Sequence, residues 1–245
     1  MEVHHHSHAE HGKKNWKAYL WEFFMLFMAV TAGFFVENQR EHIVEHKRGM
    51  QYIESFVEDL KIDTARFSGT LSYYHKLDSL LSHLYVCYDS TLHNQEPTEC
   101  MKNIYFATQG FPDLIYTDRT LEQLKNAGGL RLLKEEDANR IIKYDAYMRY
   151  VLKAESTSMQ VKATQVRLTR NSVFAFTELM DSIHVNGVLP EKMGVITHDK
   201  DLLNKFFNEV MVYRATSEYM SELITKLQKK ATDLIKFYTE KYHLK

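Results

Sequence analysis

Histidine gives the first residues of the chain their clearest chemical potential. The stretch MEVHHHSHAEHGKK contains His4, His5, His6, His8 and His11. Neutral imidazole binds zinc, nickel and copper, so this tail predicts weak metal binding that needs no folded site. The alternative is a solvated, partly protonated tail with no specific metal role.

A second histidine pattern, HIVEH, occupies residues 42–46 and matches the H-x-x-E-H order of inverted zinc peptidases. On a helix His42 and His46 lie on one face, and Glu45 could act as a general base. The sequence places no third ligand, so a zinc-dependent hydrolase is a remote alternative to a solvated helix surface. The chain also lacks a glycine-rich phosphate loop, a G-x-S-x-G elbow and a CxxC pair. We therefore expect a non-enzymatic protein without a cofactor.

The two cysteines, Cys87 and Cys100, flank the polar stretch YDSTLHNQEPTE. In an oxidising compartment they would close a short loop, and such a cross-link is worth on the order of 3 kcal/mol. In a reducing cytosol they would remain two separate thiols. Spacing alone leaves both interpretations open, so the membrane topology has to decide between them.

An apolar segment over residues 19–36 contains a single charged residue, Glu22. As a helix it would rise about 27 Å, close to the hydrocarbon thickness of a thin bilayer. Trp16 and Trp21 at its amino end are typical of the headgroup layer. No A-x-A-like cleavage site follows the segment, so we predict an uncleaved transmembrane helix over residues 18–36.

The orientation follows from the basic residues on either side. Lys13, Lys14 and Lys17 precede the apolar segment, and only Arg40 follows it closely. Positive charges favour the cytoplasmic side, so we expect residues 1–17 in the cytoplasm and residues 37–245 outside it. That placement would permit a Cys87–Cys100 disulfide.

Within the span, Ala29 and Gly33 form a small-xxx-small pattern that lets another helix approach closely. Glu22 has two interpretations. It either reaches headgroup water at the amino end of the helix, or is buried against a polar group of another subunit. We expect a membrane protein that forms a homo-oligomer or a complex with another membrane protein.

The remaining sequence favours long helices, since the chain has only 3 Pro and 9 Gly. Apolar residues alternate in steps of three and four from Met50 to Leu81 and again from Leu203 to Tyr238. We predict an all-α fold in which one N-terminal transmembrane helix continues into an elongated antiparallel helical bundle. The balanced charge, 31 Lys+Arg against 32 Asp+Glu, argues against a nucleic-acid partner.

Breaks in the pattern set the expected helix boundaries. The first helix should reach about Val86, followed by a polar loop to Pro97 and a short helix to about Thr108. A helix capped by Thr117 or Asp118 should stop at Gly128-Gly129. A long helix should then reach about Met180, with an interruption near Asn171, before a loop and a last helix from about Asp199. The middle of the long helix, AESTSMQVKATQ, is unusually polar and is either peripheral or lines a wet layer of the bundle.

Two stretches resemble a family of uncharacterised single-pass inner-membrane proteins common in Bacteroidetes. WEFFMLFMAVTAGFFVENQRE is similar to the family's anchor, in which an early Glu and an Asn at the exit correspond to Glu22 and Asn38. TLEQLKNAGGLRLLKEEDANRIIKYDAYM is similar to its central segment, at Leu124, Gly128, Leu130, Leu132, Leu133 and Tyr144. The chain departs from the family in its aromatic-rich span and histidine-rich tail. The resemblance implies a bacterial inner-membrane setting and a domain of unknown function. It makes a buried, functional Glu22 as well supported as a Glu22 that reaches headgroup water.

The leading hypothesis is a non-enzymatic, membrane-anchored accessory or assembly subunit with a periplasmic helical bundle. The alternative is a periplasmic sensor or ligand-binding bundle whose pocket lies at the polar middle of the long helix. The zinc-dependent hydrolase at His42 and His46 is the third and most remote reading.

Overall fold

The computed structural model describes residues 16–93, 98–175, 185 and 195–244. The chain divides into two compact units, residues 1–51 and residues 52–245. The helices are α1 (Trp16–Leu80), α2 (Leu84–Leu92), α3 (Thr98–Ala107), α4 (Arg119–Asn126), α5 (Glu135–Ala154), α6 (Gln160–Val173) and α7 (Lys200–Tyr242). A 3₁₀ turn (Gly129–Leu132) precedes α5, and a π-helix (Glu155–Met159) joins α5 to α6. The predicted all-α class is confirmed: the described residues hold no strand beyond one isolated bridge between Phe174 and Val195.

Helix α1 contains the predicted membrane segment and continues past it. No proline interrupts residues 16–80, so each backbone N–H beyond the first turn can bond the carbonyl four residues earlier. The predicted membrane exit at residue 36 is therefore not marked by a break in the helix. The apolar window is long enough to cross a membrane, and none of its residues is buried.

The predicted end of the first helix at Val86 is wrong by six residues, because α1 ends at Leu80 and α2 begins at Leu84. The predicted polar loop from Tyr88 is also wrong in its first part, since α2 continues to Leu92. Its three buried residues, Leu84, Cys87 and Thr91, are spaced by three and four positions and form one face of a helix. That buried face is enough to keep a polar segment helical.

Helix α7 confirms the predicted periodicity. Every position assigned to the core is buried: Leu203, Phe206, Val210, Tyr213, Ser217, Met220, Ile224, Leu227, Ala231, Leu234 and Tyr238. Its start is also as predicted, because the side chain of Asp199 accepts hydrogen bonds from the backbone N–H groups of Asp201 and Leu202. Local sequence therefore determines both the start and the buried face of this helix.

Helix α7 runs antiparallel to the part of α1 that lies in the second unit. The Arg214 guanidinium contacts the Asp78 carboxylate at 2.7 Å. Further along α7, the Gln228 side-chain amide donates to the carbonyl oxygen of Thr64 at 3.0 Å. Residue numbers rise on α7 as they fall on α1, which is the antiparallel register expected for the bundle.

Helix α5 also lies against α7 in antiparallel register. The hydroxyls of Tyr150 and Tyr219 are 2.6 Å apart, and the Tyr147 hydroxyl donates to the Leu223 carbonyl at 3.5 Å. The core of the second unit is thus built from α1, α5–α6 and α7, with α2, α3 and α4 packed around it.

The predicted long third helix is divided. A π-helix replaces α-helical geometry at Glu155–Met159, and α6 ends at Val173, where the following Phe174 has an extended backbone. Where an interruption was predicted near Asn171, the helix ends two residues later, at Val173. The predicted continuation to Met180 lies outside the described residues. Gly128 ends the region of α4 as predicted, with a φ of 66° that favours glycine.

Candidate functional site

The predicted membrane residues all lie on α1 in the first unit, where the apolar side chains are exposed. Phe34 is 75% exposed and Phe23 is 66% exposed. A Cβ added to Gly33 would meet no atom within 4 Å, so the helix surface beside it is open. On a helix, spacings of seven and four residues place Glu22, Ala29 and Gly33 on one face. The three candidate residues are therefore brought to the same side of the span.

The histidine candidates divide into two groups. His4, His5, His6, His8 and His11 lie outside the described residues. His42 and His46 lie on α1 and are both exposed. Among the described residues, no group of three or more His, Cys, Asp or Glu side chains is arranged to hold a metal ion. The described structure thus offers His42 and His46 no third protein ligand.

Cys87 and Cys100 are joined by a disulfide, with their Cα atoms 5.7 Å apart. The bond links α2 to α3, and Cys87 is fully buried within the core. The buried face of α2 packs on the core of the second unit, and the disulfide ties α3 to α2.

The polar middle of the predicted third helix coincides with the π-helix. Its wider turn brings Glu155 inward, where one carboxylate oxygen accepts the backbone N–H of Leu114 at 2.8 Å. Burial raises the pKa of Glu155 despite this hydrogen bond. On the outer side, the hydroxyls of Ser156 and Thr157 donate to the Lys153 carbonyl. Within this stretch Glu155 therefore faces inward, whereas Ser156 and Thr157 lie on the periphery.

A layer of tyrosines lies beside the connection that follows α3. Tyr73 and Tyr213 both donate a hydrogen bond to the Gly110 carbonyl oxygen, the second at 3.0 Å. The hydroxyl of Tyr74 is buried and has no hydrogen-bond partner in the described part of the chain. Burial is the main cause that raises the pKa of Tyr74, and the charge of Glu155 adds to it. Tyr73 and Tyr213 therefore act as hydrogen-bond donors, whereas the Tyr74 hydroxyl makes no hydrogen bond to a described residue.

Two buried carboxylates on α1 hold the start of α4. Asp63 accepts hydrogen bonds from both the N–H and the hydroxyl of Thr117. Asp59 accepts from the Arg119 guanidinium at 2.7 Å and from the N–H of Thr120 at 3.3 Å.

The predicted start of α4 at Thr117-Asp118 is confirmed, but the predicted side-chain cap is wrong. Asp118 occupies the cap position, but its side chain accepts no capping hydrogen bond. Asp59 supplies an acceptor from a different helix, and the Thr117 hydroxyl is engaged by Asp63. Sequence reasoning missed both carboxylates, and their spacing of four residues inside an apolar stripe was the available signal.

Arg170 on α6 is a buried cation that the sequence did not single out, with 4% of its surface exposed. Its guanidinium donates to the carbonyl oxygen of Thr108, directly after α3, at 2.9 Å. It also lies over the Tyr105 ring, 5.1 Å from the centroid. Burial lowers the pKa of Arg170, while the negative end of α3 and the ring favour its charge.

Two further surface features offer space for a ligand. A polar groove of about 470 Å³ is lined by Lys162 and Gln165 of the predicted polar stretch. Residues of α7 form its other wall: Asp201, Asn204, Lys205, Asn208, Glu209 and Val212. A mainly apolar pocket of about 320 Å³ lies between α1 and α3. Neither was located by sequence reasoning beyond the polarity of residues 154–165.

Comparisons with known protein families, with curated proteins and with solved structures found no match for this chain.

Proposed function

We propose that the protein is a non-enzymatic, membrane-anchored helical subunit that assembles with itself or with another membrane protein. The observation that carries the proposal is the apolar window of α1, which is long enough to span a bilayer and is wholly exposed. Soluble proteins do not leave such a surface in contact with water, so lipid or another helix is expected to cover it.

One face of that helix supports assembly. Ala29 and Gly33 leave the backbone open to close approach, and Glu22 lies on the same side. Small residues allow the van der Waals contact that drives helix association in lipid, where the hydrophobic effect between helices is absent. An intramembrane carboxylate on that face favours a polar partner.

The proposed location is the bacterial inner membrane, with residues 1–17 in the cytoplasm and the second unit in the periplasm. The three lysines before the apolar segment support this orientation. The Cys87–Cys100 disulfide supports an oxidising compartment for the second unit. The resemblance to the Bacteroidetes anchor family agrees with the same setting.

The test is the oligomeric state of the full chain in nanodiscs and in mild detergent, measured by light scattering and by cross-linking. We expect a defined oligomer or a stable complex with a membrane partner. Gly33→Leu and Glu22→Gln should weaken it, because both change the shared face. Phe35→Leu, two residues from Gly33 and on another side of the helix, is the matched control. A monomer that recovers no partner from native membranes would contradict the proposal.

A second candidate, a ligand-binding bundle, is favoured by the polar groove between α6 and α7. The groove carries two lysines, Lys162 and Lys205, and two carboxylates, Asp201 and Glu209. The Oε2 atom of Glu209 is buried without a hydrogen-bond partner among the described residues. This mixture of charges suits a small zwitterion such as a free amino acid. A thermal-shift screen of free amino acids should find one that stabilises the wild type but not Glu209→Gln, and a screen with no such compound would count against it.

A further inference from the structure

A mainly apolar pocket of about 320 Å³ lies in the second unit and shares no lining residue with the polar groove. Its lining consists of Tyr73, Lys76, Leu77, Leu80, Phe106 and Ala107. Its volume falls at the small end of the range for pockets that bind small molecules, about 300–1,000 Å³.

The pocket is built from one face of α1. Tyr73, Lys76, Leu77 and Leu80 follow the spacing i, i+3, i+4 and i+7, so their side chains leave the helix on the same side. The last turn of α3 forms the other wall. Phe106 stands at this wall with 47% of its surface exposed, although the neighbouring residues of α3 are buried. Because the Phe106 ring lines the pocket and is not packed into the core, it offers contact area to a ligand.

The charge of the pocket has one sign. Lys76 is exposed and makes no hydrogen bond or ion pair with any described residue. No Asp or Glu belongs to the lining. The Tyr73 hydroxyl donates to the Gly110 carbonyl oxygen, which holds its ring in the wall. A cation at the edge of an apolar surface favours an amphipathic anion over a neutral or cationic molecule.

We propose that this pocket binds a medium-chain carboxylate, a single-chain anion of the fatty-acid class. The carboxylate pairs with the Lys76 ammonium group, whose long stem lies over apolar surface while its charge stays in water. The alkyl chain lies against Leu77, Leu80 and Phe106 and removes their apolar surface from water. Binding at this site goes beyond the assembly role, and neither depends on the other.

The experiment is photo-labelling of the full chain in phosphatidylcholine nanodiscs with decanoate that carries a terminal diazirine. Mapping the label by peptide mass spectrometry separates binding at the pocket from partition into lipid. We expect labelling of residues 73–80 and 101–107, which excess unlabelled decanoate removes. A diazirine analogue with a trimethylammonium head should label these peptides much less, because Lys76 repels it.

Two exposed positions test the two halves of the site. Lys76→Gln should reduce labelling roughly 2–5-fold, the range expected for one solvent-accessible ion pair. Phe106→Ala should reduce it roughly 5–20-fold through lost apolar contact. Lys143→Gln, which removes another exposed lysine without a partner among the described residues, should leave labelling unchanged. Labelling that unlabelled decanoate does not displace, equal labelling by the cationic analogue, or equal effects of Lys76→Gln and Lys143→Gln would overturn the proposal.

Discussion

The carboxylate of Asp63 accepts both the backbone N–H and the hydroxyl of Thr117, at 2.8 and 2.9 Å, across 54 positions of sequence. Burial raises the pKa of Asp63 to about 6, although Thr117 and the charge of Arg66 act in the opposite direction. This contact links α1 to the start of α4 and makes the link sensitive to pH.

Asp63 should make the second unit less stable as the pH rises from about 4 to about 6. Its pKa is higher in the folded state than in the unfolded chain, so between these values the folded protein binds more protons and unfolding becomes easier with increasing pH. We expect the wild type to lose roughly 1–3 kcal/mol more than Asp63→Asn over this interval. Thermal unfolding followed by circular dichroism at several pH values measures the difference.

The control for this pH dependence is Glu58→Gln, which removes an exposed carboxylate from the same helix. Its curve should follow that of the wild type. If Asp63→Asn also follows the wild type, the carboxyl group of Asp63 does not titrate in this interval.

Glu155→Gln should preserve or raise stability at pH 7, whereas Glu155→Ala should lower it by about 1–3 kcal/mol. The amide oxygen of Gln can still accept the N–H of Leu114, and it removes a charge whose burial is unfavourable. Alanine leaves that N–H without its acceptor. Chemical unfolding of both variants at pH 7 gives the comparison, and equal losses would show that the hydrogen bond contributes little.

Reduction of the Cys87–Cys100 disulfide should lower the melting temperature. The bond closes a loop over 13 positions, for which loop entropy alone predicts about 3 kcal/mol. For a chain of this size that corresponds to a decrease of roughly 6–12 °C. Cys100→Ser should melt at the lower temperature with and without reductant. A wild-type melting temperature that reductant does not change would contradict a closed disulfide.

Lys241→Met should destabilise the protein by about 1–3 kcal/mol, because it leaves the fully buried Asp137 carboxylate with fewer donors. The Lys241 ammonium lies 2.6 Å from that carboxylate. Lys236→Met removes a mostly exposed lysine one and a half turns earlier on α7 and is the matched control. Similar unfolding free energies for the two variants would show that water replaces Lys241 at Asp137.

The apolar segment of α1 was visible as an almost unbroken run of apolar residues. Hydrophobic period was enough to predict the helical class and most of the buried face of α7, although Phe207 and Leu223 are buried there as well. Those features depend on residues three and four positions apart, which the sequence displays directly. The π-helix was not predicted, and the partner of its buried Glu155, the backbone N–H of Leu114, lies 41 positions away in sequence. The side-chain cap of α4 was predicted wrongly, since Asp59 reaches it from 61 positions earlier. Of the candidate sites, the shared face of the span follows from spacing, whereas the pocket at Lys76 requires the approach of α3.

The surroundings of Asp137 have a consequence for synthesis. This carboxylate lies in the first turn of α5, yet Lys241 and Tyr242 provide its ion pair and hydrogen bond from 104 and 105 positions later. In a nascent chain on the ribosome, water must therefore hydrate this carboxylate and that end of α5 must stay open until residues 241 and 242 leave the exit tunnel. These two residues also follow the apolar segment of α1 in the chain, so the junction at Asp137 can close only long after that segment has been synthesised.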